Sequence, residues 1–511
     1  MKLSVAAPGL TQFRYYKRTW LRGDVLAGLT VAAYLIPQVM AYGSLAGLPP
    51  VAGLWAALGP LVLYAVFGSS RQLSVGPEST TALMTAVVLT PMVVGDAGRY
   101  TALAAAVAIL VGAACFLAGI ARLGFLANLL SRPVLVGYMT GIAIVMVVSQ
   151  LEKLTGIPVG GEEFIDQIRS FTAGVAQAHW PTIALSAAVL VALLAMDRWL
   201  PRTPGPLIAV LAATAAVWLF SLDSNGIAVV GQIPSGFPKP GMPDISMHDF
   251  ASLVIPACGI AIVAFSDNIL TARTFAARRG EDLDANAELR ALGLCNAAAG
   301  VAQGFPVSSS GSRTALGDAA GGRTQLFSLI MLVMVVAVML FGRDVLASFP
   351  KAALGALIVY AATRLVDVQA FRRLARFRRS EFFLACLTTA SVLVFGLLYG
   401  VLVAVGLSIL DLLRRVARAH DSVLGFVPGL AGMHDIDDYP EAEPVPGLLV
   451  YRYDAPLCFA NAEDFRKRAL RAVHMNPAPV EWFVLNAEAN VEVDLTALDA
   501  LDDLRAELTS R

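Results

Sequence analysis

Long apolar runs dominate this 511-residue chain and limit what it can fold into. Between Gly23 and Leu413, runs of about 18 to 25 residues recur, and each is long enough to cross a hydrocarbon core of about 30 Å. Hydrophobic residues make up 57% of the chain and charged residues only 15%, which excludes an ordinary soluble enzyme. Because lipid offers no hydrogen bonds, each run must satisfy its own backbone groups. The sequence therefore predicts an all-α polytopic membrane protein.

The apolar pattern predicts fourteen membrane-spanning segments. They fall at residues 24–45, 51–68, 77–93, 99–119, 132–150, 180–197, 205–221, 251–272, 288–303, 313–321, 324–342, 351–366, 381–398 and 399–414. Basic residues that include Lys2 precede the first segment, whereas the predicted outer loops 151–179 and 222–250 hold few. The positive-inside rule then predicts a multi-pass protein of the cell membrane with both termini in the cytoplasm.

Two Gly/Pro/Ser-rich stretches interrupt the apolar pattern, one in the third predicted segment and one in the tenth. The first runs from Ser74 to Leu83 and the second from Phe305 to Leu316, and both resume through Thr-Ala-Leu. Non-helical backbone at membrane depth is tolerated only where it lines a cavity or contacts a solute. Fourteen segments divide into two halves of seven, so the breaks occupy equivalent positions. This arrangement predicts inverted repeats whose two helix N-termini converge on one anion, as in a transporter.

The chain changes character near its C-terminus. We predict a cytoplasmic or interfacial segment over residues 1–23, a transmembrane transport domain over 24–418 and a polar linker over 419–445. Residues 446–511 follow a strand–helix–strand–helix pattern that is typical of a soluble α/β unit.

Several classes of function are disfavoured by the sequence. The five cysteines show no paired spacing, and the five histidines form no i, i+4 pair, which argues against a zinc or Cys–His centre. No grouping of nucleophile, base and orienting residue points to an enzyme. The formal net charge is zero and no basic stripe is present, so nucleic acid is not an expected partner.

Several motifs, in the expected order, resemble the sulfate permease (SulP) family of anion transporters, to which the motor protein prestin also belongs. They are Gly23–Thr30, Ile36–Tyr42, Ala46–Leu54, Phe67–Arg71, Ser74–Pro77 and the stretch Asn286–Thr324. The tail resembles a partial form of the family's regulatory STAS domain, with Thr496 where related bacterial regulators carry a phosphorylatable hydroxyl. The resemblance implies core and gate domains, a homodimer in membrane lipid, a regulatory partner at the STAS domain, and an anion site between segments one, three, eight and ten.

The anion-binding candidates lie at the two breaks and in the first segment. Gly311, Ser312 and Arg313 open the tenth segment, where free N–H groups and the positive end of the helix dipole suit an oxyanion. The alternatives are a plain N-cap, or an ion pair of Arg313 within the core domain. The whole set is Gln38, Tyr42, Glu78, Ser79, Ser310, Gly311, Ser312 and Arg313.

Gln38 and Tyr42 lie four residues apart and therefore share one face of the first segment. Pro37 directly before them predicts a break in that helix. The resemblance implies that both residues face the substrate, with the amide of Gln38 donating a hydrogen bond and Tyr42 supplying an aromatic wall. The alternative is ordinary packing against a neighbouring helix.

Asp267 is the main candidate for coupling transport to a second ion, because an ionisable residue inside a membrane segment is costly to keep there. The resemblance implies Na⁺ held by Asp267, Thr271 and Ser310. Alternatively, burial lets Asp267 carry a proton, with Glu78 as a second titratable coupling residue. A salt bridge from Asp267 to Arg313 or Arg273 is the structural alternative. Glu78 departs from the neutral or aromatic residue common in the family, and a carboxylate there repels a dianion unless protonated.

These observations together predict secondary active, proton-coupled transport of a sulfate-like anion, bicarbonate or a dicarboxylate by alternating access, with no cofactor beyond the coupling ion. Na⁺-coupled bicarbonate symport, anion exchange and channel-like conduction are the alternatives, and a STAS-linked membrane sensor or scaffold is a further one. A basic cluster before the thirteenth segment contains Arg372, Arg373, Arg376, Arg378 and Arg379. Lipid headgroups or the STAS domain contact it, or positive-inside topology alone explains it.

Overall fold

The computed structural model describes residues 7–510 apart from 94, 129–130, 161–163, 201–202, 223, 232–236 and 418. Lys2 and parts of both predicted outer loops lie outside these described residues. The chain forms two compact units, Met1–Val405 and Gly406–Arg511.

Ten helices form the first half of the membrane unit within its described residues. They are α1 (Pro8–Arg14), α2 (Leu21–Leu45), α3 (Val51–Phe67), α4 (Ser79–Leu89), α5 (Ala97–Ile120), α6 (Arg132–Ser149), α7 (Leu151–Thr155), α8 (Phe164–Ala173), α9 (Trp180–Trp199) and α10 (Gly205–Leu219). Helices α2 to α6, α9 and α10 correspond to the first seven predicted segments. In α2 the chain remains helical through Pro37, so the predicted break in the first segment is wrong.

Eight further helices are described between residues 247 and 417. They are α11 (Met247–Arg279), α12 (Ala285–Val301), α13 (Gly311–Ala319), α14 (Leu326–Phe341), α15 (Arg343–Ala347), α16 (Lys351–Leu365), α17 (Val368–Phe377) and α18 (Arg379–Ala417). Helix α18 contains the last two predicted segments, which a kink separates at Gly396. That residue has φ 76° and ψ 174°, a conformation that only glycine adopts without strain.

Hydropathy and length agree with a membrane location. Among the described residues, seven helices are long and apolar enough to cross a membrane, and four shorter apolar helices accompany them. One of the shorter helices, α4, follows the first break, and the nine-residue helix α13 follows the second. Strands β1 (Val75–Gly76) and β2 (Ser308–Ser309) lie within the breaks. Each break is therefore a two-residue strand followed by a half-helix.

Helices α5 and α12 pack with their backbones in close approach beneath the site. A Cβ atom on Gly112 would lie 2.7 Å from the carbonyl oxygen of Gly293, and one on Gly293 would lie 2.8 Å from that of Gly112. Both distances are shorter than carbon and oxygen tolerate, so glycine is required at this crossing. The close approach gives α12 a fixed position from which its side chains support the breaks.

The second unit contains a four-stranded sheet in the order β4–β3–β5–β6. The elements are β3 (Asp421–Phe426), β4 (Met433–Asp435), β5 (Leu448–Tyr453), α19 (Ala462–Met475), β6 (Trp482–Asn486) and α20 (Leu495–Ser510). Strands β5 and β6 are parallel with α19 between them in sequence, whereas β3 is antiparallel to both β4 and β5.

The prediction of a linker over 419–445 needs correction, because this stretch supplies strands β3 and β4. The acidic residues that suggested a linker lie largely after β4, and β3 buries only alternate side chains such as Ser422 and Leu424. Such a short, half-polar strand has little hydrophobic signal of its own. Its pairing with β5 makes it part of the fold.

Candidate anion-binding site

The two sequence breaks meet in the structure. Strand β1 pairs antiparallel with β2, with Val75 opposite Ser309 and Gly76 opposite Ser308. The N–H of Ser310 also donates to the carbonyl of Ser74 at 2.9 Å. The prediction that the breaks converge is therefore confirmed, and backbone groups freed by the interrupted helices are satisfied by one another.

Each half-helix begins with a capping side chain directly after its strand. The carboxylate of Glu78 caps α4 by accepting the N–H of Thr80 at 2.7 Å, and it also accepts the hydroxyl of Ser79. The hydroxyl of Ser310 caps α13, where it lies 3.4 Å from the N–H of Arg313. Ser310 and Ser312 place their hydroxyl oxygens 3.2 Å apart. The two N-caps are thus Glu78 and Ser310, and not Ser312, which the plain N-cap alternative for the tenth segment required.

Arg313 is fully buried between the two breaks. Its Nη1 donates to the carbonyl of Pro77 at 2.9 Å and to Oε1 of Gln38 at 3.1 Å, and its Nε lies 3.3 Å from Oγ of Ser74. All three acceptors are neutral, and among the described residues Nη2 has no hydrogen-bond partner. A buried cation whose hydrogen-bond partners are all neutral is costly even with the carboxylate of Glu78 in electrostatic range, and a bound anion at Nη2 would offset that cost.

The N-terminus of α13 borders open space. Gly311 is exposed, and no atom lies within 4 Å of the position that its Cβ would occupy. Within the described residues, the N–H groups of Gly311 and Ser312 donate no hydrogen bond to the protein. Two free donors at the positive end of a helix dipole form an anion-binding geometry.

Helix α2 places Gln38 and Tyr42 beside this end of α13. Both side chains are buried, and the Oε1 of Gln38 faces Arg313. The amide N–H₂ of Gln38 has no acceptor in the described protein and so can donate to a substrate. Tyr42 interacts electrostatically with both Glu78 and Arg313, which places its hydroxyl near both side chains.

Asp267 lies half-buried on α11, which contacts β2. The hydroxyl of Ser308 donates to the carbonyl of Ala264 at 2.8 Å and so fixes α11 against the second break. The carboxylate of Asp267 interacts electrostatically with that of Glu78. Among the described residues it forms no ion pair with Arg313. Two carboxylates in electrostatic range cannot both stay ionised without cost, and a proton on either one would relieve the repulsion.

The contacts of Thr271 and Ser310 bear on sodium binding. Thr271 is half-buried one turn after Asp267, and no described contact joins it to another site residue. The carbonyl of Ser310 already accepts the N–H of Thr314 at 2.9 Å and its hydroxyl at 2.7 Å. Since both lone pairs of that oxygen are engaged, it is a poor Na⁺ ligand in this conformation.

Glu288 is an intramembrane carboxylate that the sequence reasoning missed. It is fully buried on α12 and accepts hydrogen bonds from the hydroxyl of Tyr64 at 2.9 Å and from Nδ2 of Asn268 at 2.8 Å. It also accepts from the N–H and hydroxyl of Ser69, both at 2.8 Å. These bonds hold the approach to the first break and the residue next to Asp267. The sequence did contain one indication of its importance, because an acidic residue at the start of the ninth predicted membrane segment is costly to keep there.

Amides on α12 and α14 position both breaks in a similar way. Asn296 donates from Nδ2 to the carbonyl of Val307 at 3.0 Å and accepts its N–H at 2.8 Å, as a neighbouring strand would. Gln325 donates from Nε2 to the carbonyls of Ser70 and Leu73, at 3.1 and 2.9 Å. No sequence pattern distinguishes these amides from ordinary polar residues.

A helical membrane unit built around two facing half-helices and a buried arginine defines a class, the multi-pass anion transporters. The chain matches the model of the sulfate permease family over residues 21–388 and that of the STAS domain over 439–511. It belongs to the sulfate permease family, whose members are transporters and not enzymes, and the sequence resemblance is confirmed.

Two relatives and one solved structure support this assignment, and a second solved structure shares the fold. A probable sulfate transporter of Mycobacterium tuberculosis is 68% identical over 505 residues, covering 99% of this chain and 90% of the relative. Probable sulfate transporter 4.2 of Arabidopsis thaliana is 33% identical, covering 97% and 76%. The inward-facing structure of the murine anion transporter Solute Carrier 26 family member A9 matches with a TM-score of 0.89 at 25% identity, covering 98% and 86%.

The transmembrane domain of a cyanobacterium bicarbonate transporter matches with a TM-score of 0.67 at 22% identity, covering 77% of this chain and 98% of that domain. This second likeness concerns the fold alone. The fourteen-segment inverted-repeat fold with a C-terminal STAS domain is confirmed by the match to the murine structure.

Proposed function

We propose that this protein carries a sulfate-like dianion across the cell membrane together with one or more protons, by alternating access. The observation that supports this most is Arg313, a buried guanidinium with only neutral partners and one free Nη2 beside two free backbone N–H groups. Relatives named as sulfate transporters favour sulfate as the anion.

The charges around the site favour protons as the coupling ion. Arg313 contributes one positive charge, whereas Glu78 and Asp267 contribute two negative charges when ionised. A dianion entering this pocket would meet a net negative charge, and protonation of either carboxylate removes that repulsion. Sodium is the second candidate, but the engaged carbonyl of Ser310 leaves Asp267 and Thr271 as a weak pair of ligands.

Sulfate uptake into proteoliposomes tests the proposal. Radiolabelled sulfate, bicarbonate and fumarate are compared under an imposed inward proton gradient, with and without Na⁺. We expect sulfate uptake to rise with the proton gradient and to be unaffected by Na⁺. Asp267→Asn should keep measurable sulfate binding but lose the response to the gradient.

Two results would contradict the coupling assignment. Uptake that is equal at acidic and alkaline pH and is insensitive to Asp267→Asn would exclude a proton. Uptake that requires Na⁺ at fixed pH and is weakened by Thr271→Val would assign sodium instead. Both termini in the cytoplasm and a homodimer complete the proposal, and accessibility labelling and light scattering would test them.

A further inference from the structure

Helix α17 is a short amphipathic helix at the edge of the membrane unit. The carboxylate of Asp367 caps it by accepting the N–H of Ala370 at 2.8 Å. Ala370 and Leu374 are buried on the side of α17 that packs towards α6, and Phe371 makes an edge-to-face contact with Phe382 of α18 at 6.3 Å. One face of α17 is thus anchored in the protein, and its position is fixed.

The opposite face presents three arginines, Arg372, Arg373 and Arg376. Spacings of three and four residues make Arg376 a neighbour of both others on the helix surface. All three are exposed, and among the described residues none has a hydrogen bond or an ion pair. Like charges at these spacings repel one another, so the cluster lacks the counter-charge that would stabilise it.

An open concavity of about 540 Å³ lies over the arginines and is lined by Gln369, Arg372, Arg373, Arg376 and Phe377. The ring of Phe377 is 70% exposed, and that of Phe383 at the start of α18 is 69% exposed. Exposed aromatic rings beside guanidinium groups are typical of the depth at which lipid headgroups meet acyl chains. Positive-inside topology explains the sign of the charges but neither the concavity nor the rings.

We propose that Arg372, Arg373 and Arg376 bind the phosphate of an anionic phospholipid headgroup in this concavity. Planar guanidinium forks bind phosphate oxygens in pairs, and three of them can surround one phosphate. The amide of Gln369 supplies a further donor. The exposed ring of Phe377 lines the same concavity, where an attached acyl chain would contact it, which favours a lipid over a soluble phosphate ester.

Lipid binding to the purified full-length protein tests this site. The protein in detergent is titrated with phosphatidylglycerol and with phosphatidylcholine, and bound lipid is counted by native mass spectrometry. We expect about a 100-fold preference for phosphatidylglycerol. The variant R372Q/R373Q/R376Q should reduce it to within about threefold, and Arg376→Gln alone to an intermediate value. The control R122Q/R132Q/R198Q, which removes three exposed arginines outside α17, should retain it.

Several outcomes would overturn the assignment. Equal preference in the triple variant and the wild type would place the lipid elsewhere. Displacement of the lipid by an equal concentration of soluble glycerol phosphate would assign the site to a free phosphate ester. No preference in the wild-type chain would mean that the three arginines do not bind an anionic headgroup. Melting temperatures of all variants show whether each is folded, and the single variant decides the outcome if the triple variant is not.

Discussion

The two half-helices that meet at the centre of the membrane unit have N-termini of opposite character. Helix α4 is capped by the carboxylate of Glu78, which takes up the N–H of Thr80 and the hydroxyl of Ser79. Helix α13 is capped by a serine, and the N–H groups of Gly311 and Ser312 stay free beside Arg313. The two halves of the inverted repeat thus share the same backbone arrangement, a strand followed by a half-helix, but differ in the charge at the N-terminus of the half-helix.

This difference suggests how a symmetric architecture binds only one anion. At α4 the protein's own carboxylate occupies the position that a transported anion would take, whereas at α13 the position is left open. The positive end of the α4 dipole therefore interacts with the protein's own carboxylate, whereas the positive end of the α13 dipole is free to interact with the substrate. In the proposed mechanism, Glu78 is the protein's own anion at this end and would be neutralised when the substrate anion arrives.

Arg313→Gln should have the largest effect on this comparison. It removes the only buried cation described at the α13 end while keeping a side chain that can donate to Gln38 or Pro77. We expect sulfate binding to weaken about 100-fold, since hydrogen bonds to a charged group contribute roughly 1.5–3 kcal/mol. Equilibrium binding of radiolabelled sulfate to purified protein measures it.

Arg313→Lys is the matched control, because it keeps the charge and loses the planar fork. Its binding should fall between wild type and Arg313→Gln. If both variants bound sulfate as tightly as the wild type while folded, the anion would lie away from α13.

Glu78→Gln tests the other half-helix. The amide still accepts from Thr80, so α4 keeps its cap, but the negative charge is gone at every pH. We expect sulfate affinity at alkaline pH to rise about tenfold, because the repulsion between Glu78 and the dianion is removed. Stimulation of uptake by an inward proton gradient should fall accordingly.

The same proteoliposome assay measures both effects, with Glu152→Gln as the control, since Glu152 is exposed on α7. An unchanged pH response in Glu78→Gln would leave Asp267 as the sole carrier of the proton.

Glu288 and Asn296 hold the two breaks in place, and variants of these residues should have the smallest effects on sulfate binding. We expect them to lower the stability of the protein by different amounts. Glu288→Gln replaces one carboxylate oxygen by an N–H₂ group, which cannot accept the hydrogen bonds that this oxygen accepted. Because the donors stay buried without an acceptor, the protein should be destabilised by about 3 kcal/mol. Asn296→Ala removes the paired contacts to Val307 and should cost about 2 kcal/mol. Thermal unfolding measures both, and the sulfate affinity of the folded protein should change less than threefold.

A melting temperature of Glu288→Gln equal to that of the wild type would show that its hydrogen bonds do not hold the first break. A large loss of sulfate affinity in either folded variant would make these residues part of the binding site itself.

Most of the membrane fold could be predicted because lipid allows few solutions. An apolar run of sufficient length must be a helix, and a Gly/Pro/Ser break inside it must satisfy its backbone against another such break. The pairing of β1 with β2 follows from that requirement. The positions of Arg313 and Glu78 follow as well, since each directly begins or precedes a half-helix.

The rest depended on contacts between distant parts of the chain. The function of Glu288 rests on donors from α3, the loop after it and α11, which no local pattern brings together. Ser74 and Asn296 were missed because their partners, which include Arg313 and Val307, lie on the second break and not near them in sequence. Strand β3 was missed because its partner β5, and not its own composition, makes it a strand.

The pairing of β1 with β2 also limits how the anion can be released. Moving the two half-helices apart would break the β1–β2 pairing, the Ser310–Ser74 bond and the bridge from Arg313 to Pro77, all in a medium without water to replace them. Sliding the joined pair past its surroundings breaks none of them. In the proposed alternating access, the anion would therefore change sides while the two half-helices stay joined around its site.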